Sequence, residues 1–346
     1  MNLETLTKLI VIRNDKLGDF TLSLPTFALL KHCLPSVTLH ALVPEYTRPI
    51  AELCPYIDAA IVDPGVSATR HDNTQLRNTL RQQGYSAALT LYSTTRIGWI
   101  LARAHIPIRM APATKLAQVF YNHRIPQHRS QSRKPEYEYN LDLARALMTR
   151  VGVQCDYQPQ APYLYIDSEQ NEKFRQRFCY NHNIQRDKRL IFIHPGSGGS
   201  ANNLSPAQYA ALAQNLANDS KNFIVFSAGP GEYQIAHTLS AQVRDRAHCV
   251  YDSNQGLIEF AKHINFADLF ISGSTGPLHV AGALNRPTVG FYTNRLSATS
   301  LRWQTLSHED RRLAFSPPIT AEAEDMSTIN LDEAAADIMA FLKRLY

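Results

Sequence analysis

Leu190-Ile191-Phe192-Ile193-His194-Pro195-Gly196-Ser197-Gly198-Gly199-Ser200 runs from four apolar residues into a turn of three glycines and two serines. A short apolar run closed by Gly and Pro reads as a buried strand ending in a turn, and a helical pattern over residues 206–217 follows it. The same order repeats downstream. Strands are expected at 223–227, weakly at 249–250, at 269–271 and at 288–292, with helices at 232–243, 257–264 and 277–284 and a terminal helix at 331–345. Upstream, strands at 8–12, 37–43, 59–62 and 86–91 alternate with helices at 17–31, 46–53, 73–83, 96–105, near 116–122 and at 138–150. Two consecutive β-α-β series predict an α/β protein with two Rossmann-like parallel sheets covered by helices. The Pro-containing stretch 156–165 reads as the crossing, giving domains 1–158 and 159–346. Ligands of such sheets sit outside the carboxyl ends of the strands, so a central cleft between the domains is the expected site.

Length and composition agree with this frame. The chain has 346 residues, 44% hydrophobic and 19% charged, which suits two globular domains and excludes a disordered polyelectrolyte. No apolar run approaches the roughly 20 residues that span a bilayer, and residues 1–8 hold no signal-peptide core, so a cytoplasmic protein is expected. Cys33, Cys54, Cys155, Cys179 and Cys249 are odd in number and form no C-x-x-C pair, which reads as reduced thiols.

The net charge of +5 is uneven: residues 1–160 carry 18 Lys/Arg against 12 Asp/Glu, and the remainder 17 against 18. No acid occurs between Asp72 and Glu136, a stretch holding Arg77, Arg81, Arg96, Arg103, Arg109, Lys115, Arg124, Arg129, Arg133 and Lys134. Taken whole, the run favours an anionic partner; taken singly, each arginine is as well explained by counter-charges elsewhere in the fold.

Three turns in the second half and one in the first carry candidate chemistry. Arg13-Asn14-Asp15-Lys16-Leu17-Gly18-Asp19 follows a strand and opens a helix without the G-x-G-x-x-G fingerprint. Asp15 reads as an N-cap, and Asp19 as a first-turn acid at the mouth of the expected cleft. The glycines and serines of 195–200 leave backbone N–H groups open to an anion at a helix start, and Walker A is excluded for want of its lysine. Ser272-Gly273-Ser274-Thr275-Gly276-Pro277-Leu278-His279 forms a second such seat, with Pro277 where a missing N–H is tolerated. Glu232, after Gly229-Pro230-Gly231, is placed to accept from ribose hydroxyls. Together the turns suggest a nucleotide diphosphate on the second domain. No D-x-D occurs and no His/Cys/Asp cluster has metal spacing, so no metal is expected.

With these motifs the chain resembles the bacterial heptosyltransferases of glycosyltransferase family 9. The marks are residues 13–19, the turn His194-Pro195-Gly196-Ser197-Gly198-Gly199-Ser200-Ala201, Ser274-Thr275-Gly276-Pro277-Leu278-His279, and Tyr121-Asn122-His123-Arg124. The resemblance implies the two-domain GT-B fold, with the terminal helix returning to the first domain. It implies inverting, metal-independent transfer of a heptose from ADP-heptose to the inner core of lipopolysaccharide at the cytoplasmic face of the inner membrane. Asp19 is then the general base, and Ser197, Gly198, Asn202, Glu232, Ser274, Thr275, Gly276 and His279 meet the donor. Lys16, Arg70, Arg96 and Arg124 are expected to meet the anionic acceptor. No cofactor beyond the nucleotide-sugar co-substrate and no nucleic-acid partner is expected. Two positions depart from the family pattern: Ser274 stands where an acid is common, and Asn202 or Asn203 where a Lys or Arg commonly meets the diphosphate. A nucleotide-sugar epimerase of the same fold, a family 9 transferase with another donor and a non-catalytic core-binding protein are the alternatives.

Overall fold

The computed structural model describes residues 6–113, 116–199, 202–243 and 246–346. Lys115 of the basic run and Ser200 and Ala201 of the glycine turn lie outside the described residues. The chain divides into two compact units, one of Met1–Arg129 with Lys134–Leu164 and one of Ser130–Arg133 with Tyr165–Tyr346.

The first unit is built on β1 (Lys8–Ile12), β2 (Thr38–Pro44), β3 (Ala59–Asp63), β4 (Ala87–Thr90), β5 (Ile108–Pro112) and β6 (His123–Ile125). They lie parallel in the order β3-β2-β1-β4-β5-β6, with Lys8 opposite Thr38 and Ile12 opposite Thr90. The second unit uses β7 (Arg189–His194), β8 (Asn222–Ala228), β9 (His248–Asp252), β10 (Leu269–Gly273), β11 (Thr288–Phe291) and β12 (Arg312–Phe315), parallel in the order β12-β11-β10-β7-β8-β9. The two orders are the same topology. In each sheet the chain's direction of travel reverses beside the first strand, between β1 and β4 and between β7 and β10, and crevices at such switch points are where doubly wound sheets take ligands.

The inner strands are apolar along their whole length because helices cover both faces: Leu9 to Ile12 and Leu190 to Ile193 have no exposed surface. In the first unit Ile10, Ile12, Leu42 and Ala88 pack against Leu76, Leu80, Ile97, Ile100 and Leu101 of two helices. Among the described residues no helix is long and apolar enough to cross a membrane.

Several local expectations are revised. The single helix expected at 17–31 is two, Leu17–Thr21 and Leu24–Cys33. Pro25 cannot donate in a continuing helix but is tolerated in the first turn of the second one, and the Ser23 hydroxyl donates to the Phe20 carbonyl at the break. The terminal helix Leu331–Leu345 turns its apolar face into the second unit. Ala335, Ile338, Phe341 and Leu342 join the core of the second sheet's own helices, beside Leu212 and Leu216. Cys33 and Cys155, read as reduced thiols, form a disulfide with Cα atoms 6.0 Å apart. The end of helix Leu24–Cys33 lies against residues 155–157, where His32 also stacks on Tyr157 at 3.9 Å, a proximity that their separation of 122 residues hides from sequence reading.

Candidate active site

In the first unit the turn after β1 is organised by a buried arginine. Arg13 continues the strand and is 2% exposed. Its Nε donates to both oxygens of Asp15 at 2.9 and 3.1 Å, its Nη1 to Glu136 at 3.1 Å and Asn140 at 3.3 Å, and its Nη2 to Asp19 Oδ1 at 2.5 Å. Glu136 also accepts from Arg129 at 2.5 Å. Burial works against the Arg13 charge, but the three carboxylates together outweigh it and raise its pKa. Burial likewise pushes the Asp19 carboxyl up to about 6, with Arg13 pulling it back and Asp15 and Glu136 adding to the rise. Asp15 is therefore not the N-cap expected of it. Lys16 takes that position without a side-chain cap bond, because the Asp15 carboxylate turns to the guanidinium instead.

Of the other residues expected at the acceptor, Lys16, Arg70 and Arg124 are exposed, Arg70 opening helix Arg70–Gln83 and Arg124 on the short strand β6. Arg96 is used differently. Its Nη2 donates to both oxygens of the buried Asp63 at 2.6 and 2.5 Å, and its Nη1 to Asn73 at 3.0 Å. Asn14 of the β1 turn donates to the same carboxylate at 2.5 Å, so the pair ties the ends of β1 and β3. Other cations of the acid-free stretch are similarly held: Arg109 by the Phe120 and Ile106 carbonyls, Arg129 by Glu136, and Lys134 by Asp142. The counter-charges thus lie outside the stretch, and Arg96 holds the buried Asp63 while staying partly exposed. Removing it strands the Asp63 charge. Arg96→Ala should lower unfolding stability by about 2–3 kcal/mol in urea titrations, toward the lower end for a broken buried pair because Arg96 is partly exposed. A change below about 0.5 kcal/mol would return Arg96 to the surface role.

In the second unit the turns after β7, β8 and β10 are locked together by side chains. Glu232, at the start of helix Tyr233–Gln242, accepts from the backbone N–H of Gly198 at 3.1 Å and of Gly229 at 3.0 Å. The carboxylate expected to await ribose hydroxyls thus fills part of the anion seat itself, since two freed backbone N–H groups point at it. A Cβ at Gly196 would fall on that carboxylate, and Gly198 and Gly199 hold positive φ of 51° and 72°. His194 Nε2 lies 3.5 Å from Glu232, and its Nδ1 shares a hydrogen bond of 3.1 Å with Ser227. Burial lowers the His194 pKa.

The β10 turn joins through Ser272, whose hydroxyl donates to the His194 carbonyl at 2.8 Å and lies 3.0 Å from the Thr275 hydroxyl. Thr275 is the N-cap residue of helix Gly276–Ala283 but makes no side-chain cap bond, its hydroxyl being turned inward. The N–H of Leu278, which such a cap would take because Pro277 has none, receives no bond from Thr275. Ser274 and Gly276 are half-buried and Ser197 partly exposed. His279 is buried, burial lowers its pKa to about 4, and its Nδ1 has no hydrogen-bond partner among the described residues. Of the two asparagines after the glycine turn, Asn202 is exposed while Asn203 is structural. Asn203 donates to the Pro195 carbonyl at 2.9 Å and accepts from the Leu204 N–H at 2.9 Å and the Tyr209 hydroxyl at 2.5 Å.

Sequence reading gave no role of their own to Arg13, Glu136 or Ser272 and did not separate Asn203 from Asn202. Arg13 had a signal, a charged residue directly continuing a fully apolar strand; Glu136 had a weaker one, as the acid that ends the acid-free stretch.

The model of glycosyltransferase family 9 (heptosyltransferase) matches residues 73–317. A Haemophilus influenzae protein classed as a candidate glycosyltransferase is 41% identical over 343 residues, covering 98% of each chain. Lipopolysaccharide heptosyltransferase 2 of Salmonella typhimurium is 24% identical over 294 residues, covering 82% of each. Among solved structures, the ADP-heptose lipopolysaccharide heptosyltransferase II of Escherichia coli superposes with a TM-score of 0.77 at 20% identity, over 98% of this chain and 99% of that one.

Proposed function

The chain belongs to glycosyltransferase family 9, and on that footing we propose that it transfers a heptose from ADP-heptose to the inner core of lipopolysaccharide with inversion at the anomeric carbon. The observation that carries this reading is Asp19: a half-buried carboxylate in the first turn of the helix after β1, one oxygen on Arg13, with a pKa near the working range of a general base. The acceptor hydroxyl gives its proton to Asp19 as its oxygen attacks the anomeric carbon. The bond to the diphosphate breaks on the opposite face, and the leaving charge passes to ADP. The second unit offers the N-terminus of helix Gly276–Ala283, the glycine turn after β7 and the side chains of Ser197, Asn202, Ser274 and His279 to that nucleotide. Donor diphosphate charge is met by these helix ends and amides, so the reaction proceeds without a divalent cation and without a resident cofactor. Lys16, Arg70 and Arg124 serve the phosphates and acidic sugars of the acceptor.

The same reading places the enzyme at the inner membrane's cytoplasmic face. Leu116 and Val119, 81% and 68% exposed, share one side of a 3₁₀ turn, and the exposed Trp99 carries Arg103 against its ring. Apolar and cationic side chains together suit an anionic lipid surface.

The test is incubation with ADP-heptose and core lipopolysaccharide lacking heptose, in EDTA, followed by mass spectrometry. One added heptose per core, with ADP released only when acceptor is present, is expected. Sugar release without acceptor would instead mark an epimerase-like hydrolysis, core binding indifferent to nucleotide a non-catalytic module, and dependence on added magnesium would remove the metal-independent clamp.

A further inference from the structure

Resting on the reading of Asp19 as the base, we propose that Arg13 is the positioning residue of this site and that Glu136 holds Arg13 to that task. A guanidinium is a planar fork whose edges fix direction as well as charge. Here every edge is engaged: Nε with Asp15, Nη1 with Glu136 and Asn140, Nη2 with Asp19. Asn140 is itself anchored, donating to the Leu22 carbonyl at 3.3 Å at the junction of the two helices that follow β1. Glu136 opens helix Glu136–Arg150, is 1% exposed, and its Oε1, the oxygen that takes the Arg13 bond, also accepts from Arg129. The fork cannot rotate, so Asp19 Oδ1 is fixed. Among the described residues no contact engages Asp19 Oδ2, which leaves that oxygen for the hydroxyl to be deprotonated.

The charges make the arrangement more than a brace. Asp15, Asp19 and Glu136 all face the Arg13 guanidinium, and Arg129 pairs with Glu136 as well. Asp15 takes two hydrogen bonds from Arg13 and Glu136 takes bonds from Arg13 and Arg129, whereas Asp19 takes one from Arg13. The single bond to Arg13 leaves burial, with the like charges of Asp15 and Glu136, to raise the Asp19 pKa. The groups facing it are Arg13 and Asp15 of its own turn, Glu136 from its helix, and Tyr46 from the 3₁₀ turn Glu45–Thr47, whose hydroxyl donates to the Asp15 carbonyl at 2.9 Å. Glu136 therefore acts through Arg13 on orientation and through its charge on the basicity of Asp19.

The test is the pH profile of kcat/KM for the full chain with saturating acceptor, alongside Asp19→Asn. The wild-type acid limb should lie near pH 6. Glu136→Gln keeps the shape of Glu136 and removes one like charge, so the limb should move to lower pH by about half a unit or more. Arg13→Lys keeps the charge and loses the fork, so kcat should fall about tenfold or more with donor KM unchanged. A brace alone would move neither the limb in Glu136→Gln nor kcat at constant donor KM. If Arg13→Lys does not fold, Glu136→Gln decides the matter. An unmoved limb with an inactive Asp19→Asn overturns the role given to Arg13 and Glu136, while a fully active Asp19→Asn removes the base reading itself.

Discussion

Asp19→Asn should lower kcat at least about a hundredfold and leave nucleotide affinity nearly unchanged. The amide has the outline of the carboxylate, and its oxygen can still accept from Arg13 Nη2, so the turn after β1 keeps its geometry. What it loses is a site for the proton. A positioned base is worth ~10²–10⁴-fold, so the lower bound corresponds to about 2.7 kcal/mol of barrier. The residual rate should also lose the wild-type decline below about pH 6, because no group remains whose protonation stops the reaction. Stability should move the other way. The folded pKa of Asp19 lies above its ordinary value, so ionisation of this group opposes the native state once pH rises through about 6. Asparagine removes that opposition and one of the like charges beside Arg13, and the variant's Tm at pH 7 should not fall below wild type. A variant that keeps more than half the wild-type kcat would make Asp19 a helix-start acid and no more.

The parts of this molecule legible in its sequence were those written locally. Continuous apolar runs such as Leu190 to Ile193 announced strands covered on both faces, and glycine turns announced where those strands end. The strands β5, β6 and β12 were not recognised, since Arg109 and Pro112, His123 and Arg124, and Arg312 interrupt any apolar period there. Asp19 could be singled out by position, but not what holds it, because Arg13 and Glu136 are 123 residues apart and no short-range pattern links them. The Asp63 partner of Arg96 was hidden for the same reason. A basic residue in an acid-free stretch looks unpartnered until β3 delivers Asp63 from 33 residues upstream. Asn202 and Asn203 are indistinguishable as letters. Only the position of Tyr209, one helical turn into Pro206–Leu216, decides which of them turns inward.

That inward asparagine makes Gly273 a position where one added methyl should damage the second unit. Gly273 lies outside the left-handed backbone region, so alanine there meets no dihedral strain. Its Cβ would instead stand 2.5 Å from Asn203 Oδ1 and 2.7 Å from its Cγ. Neither side can yield without loss. Gly273 is opposite Phe291 in the ladder with β11, and the neighbouring Ser272 is tied to the His194 carbonyl. Asn203 is tied to Pro195, Leu204 and the hydroxyl of Tyr209, a side chain with no exposed surface. If Asn203 retreats, the Tyr209 hydroxyl loses its acceptor inside the core, at about 1–3 kcal/mol, and overpacking adds about 1–3 kcal/mol. Gly273→Ala should therefore cost about 2–6 kcal/mol in denaturant unfolding. Because Asn203 also pins the carbonyl of Pro195, the glycine turn would lose its register with the Thr275 turn, and nucleotide affinity by titration calorimetry should drop more than about tenfold, the equivalent of about 1.4 kcal/mol. A double-mutant cycle separates this cause from a general weakening of β10. With Asn203→Ala already in place the clash has no target, so the second substitution should cost less than alone by at least about 1 kcal/mol. Costs that add within about 0.5 kcal/mol would mean that Gly273 and Asn203 do not meet as described.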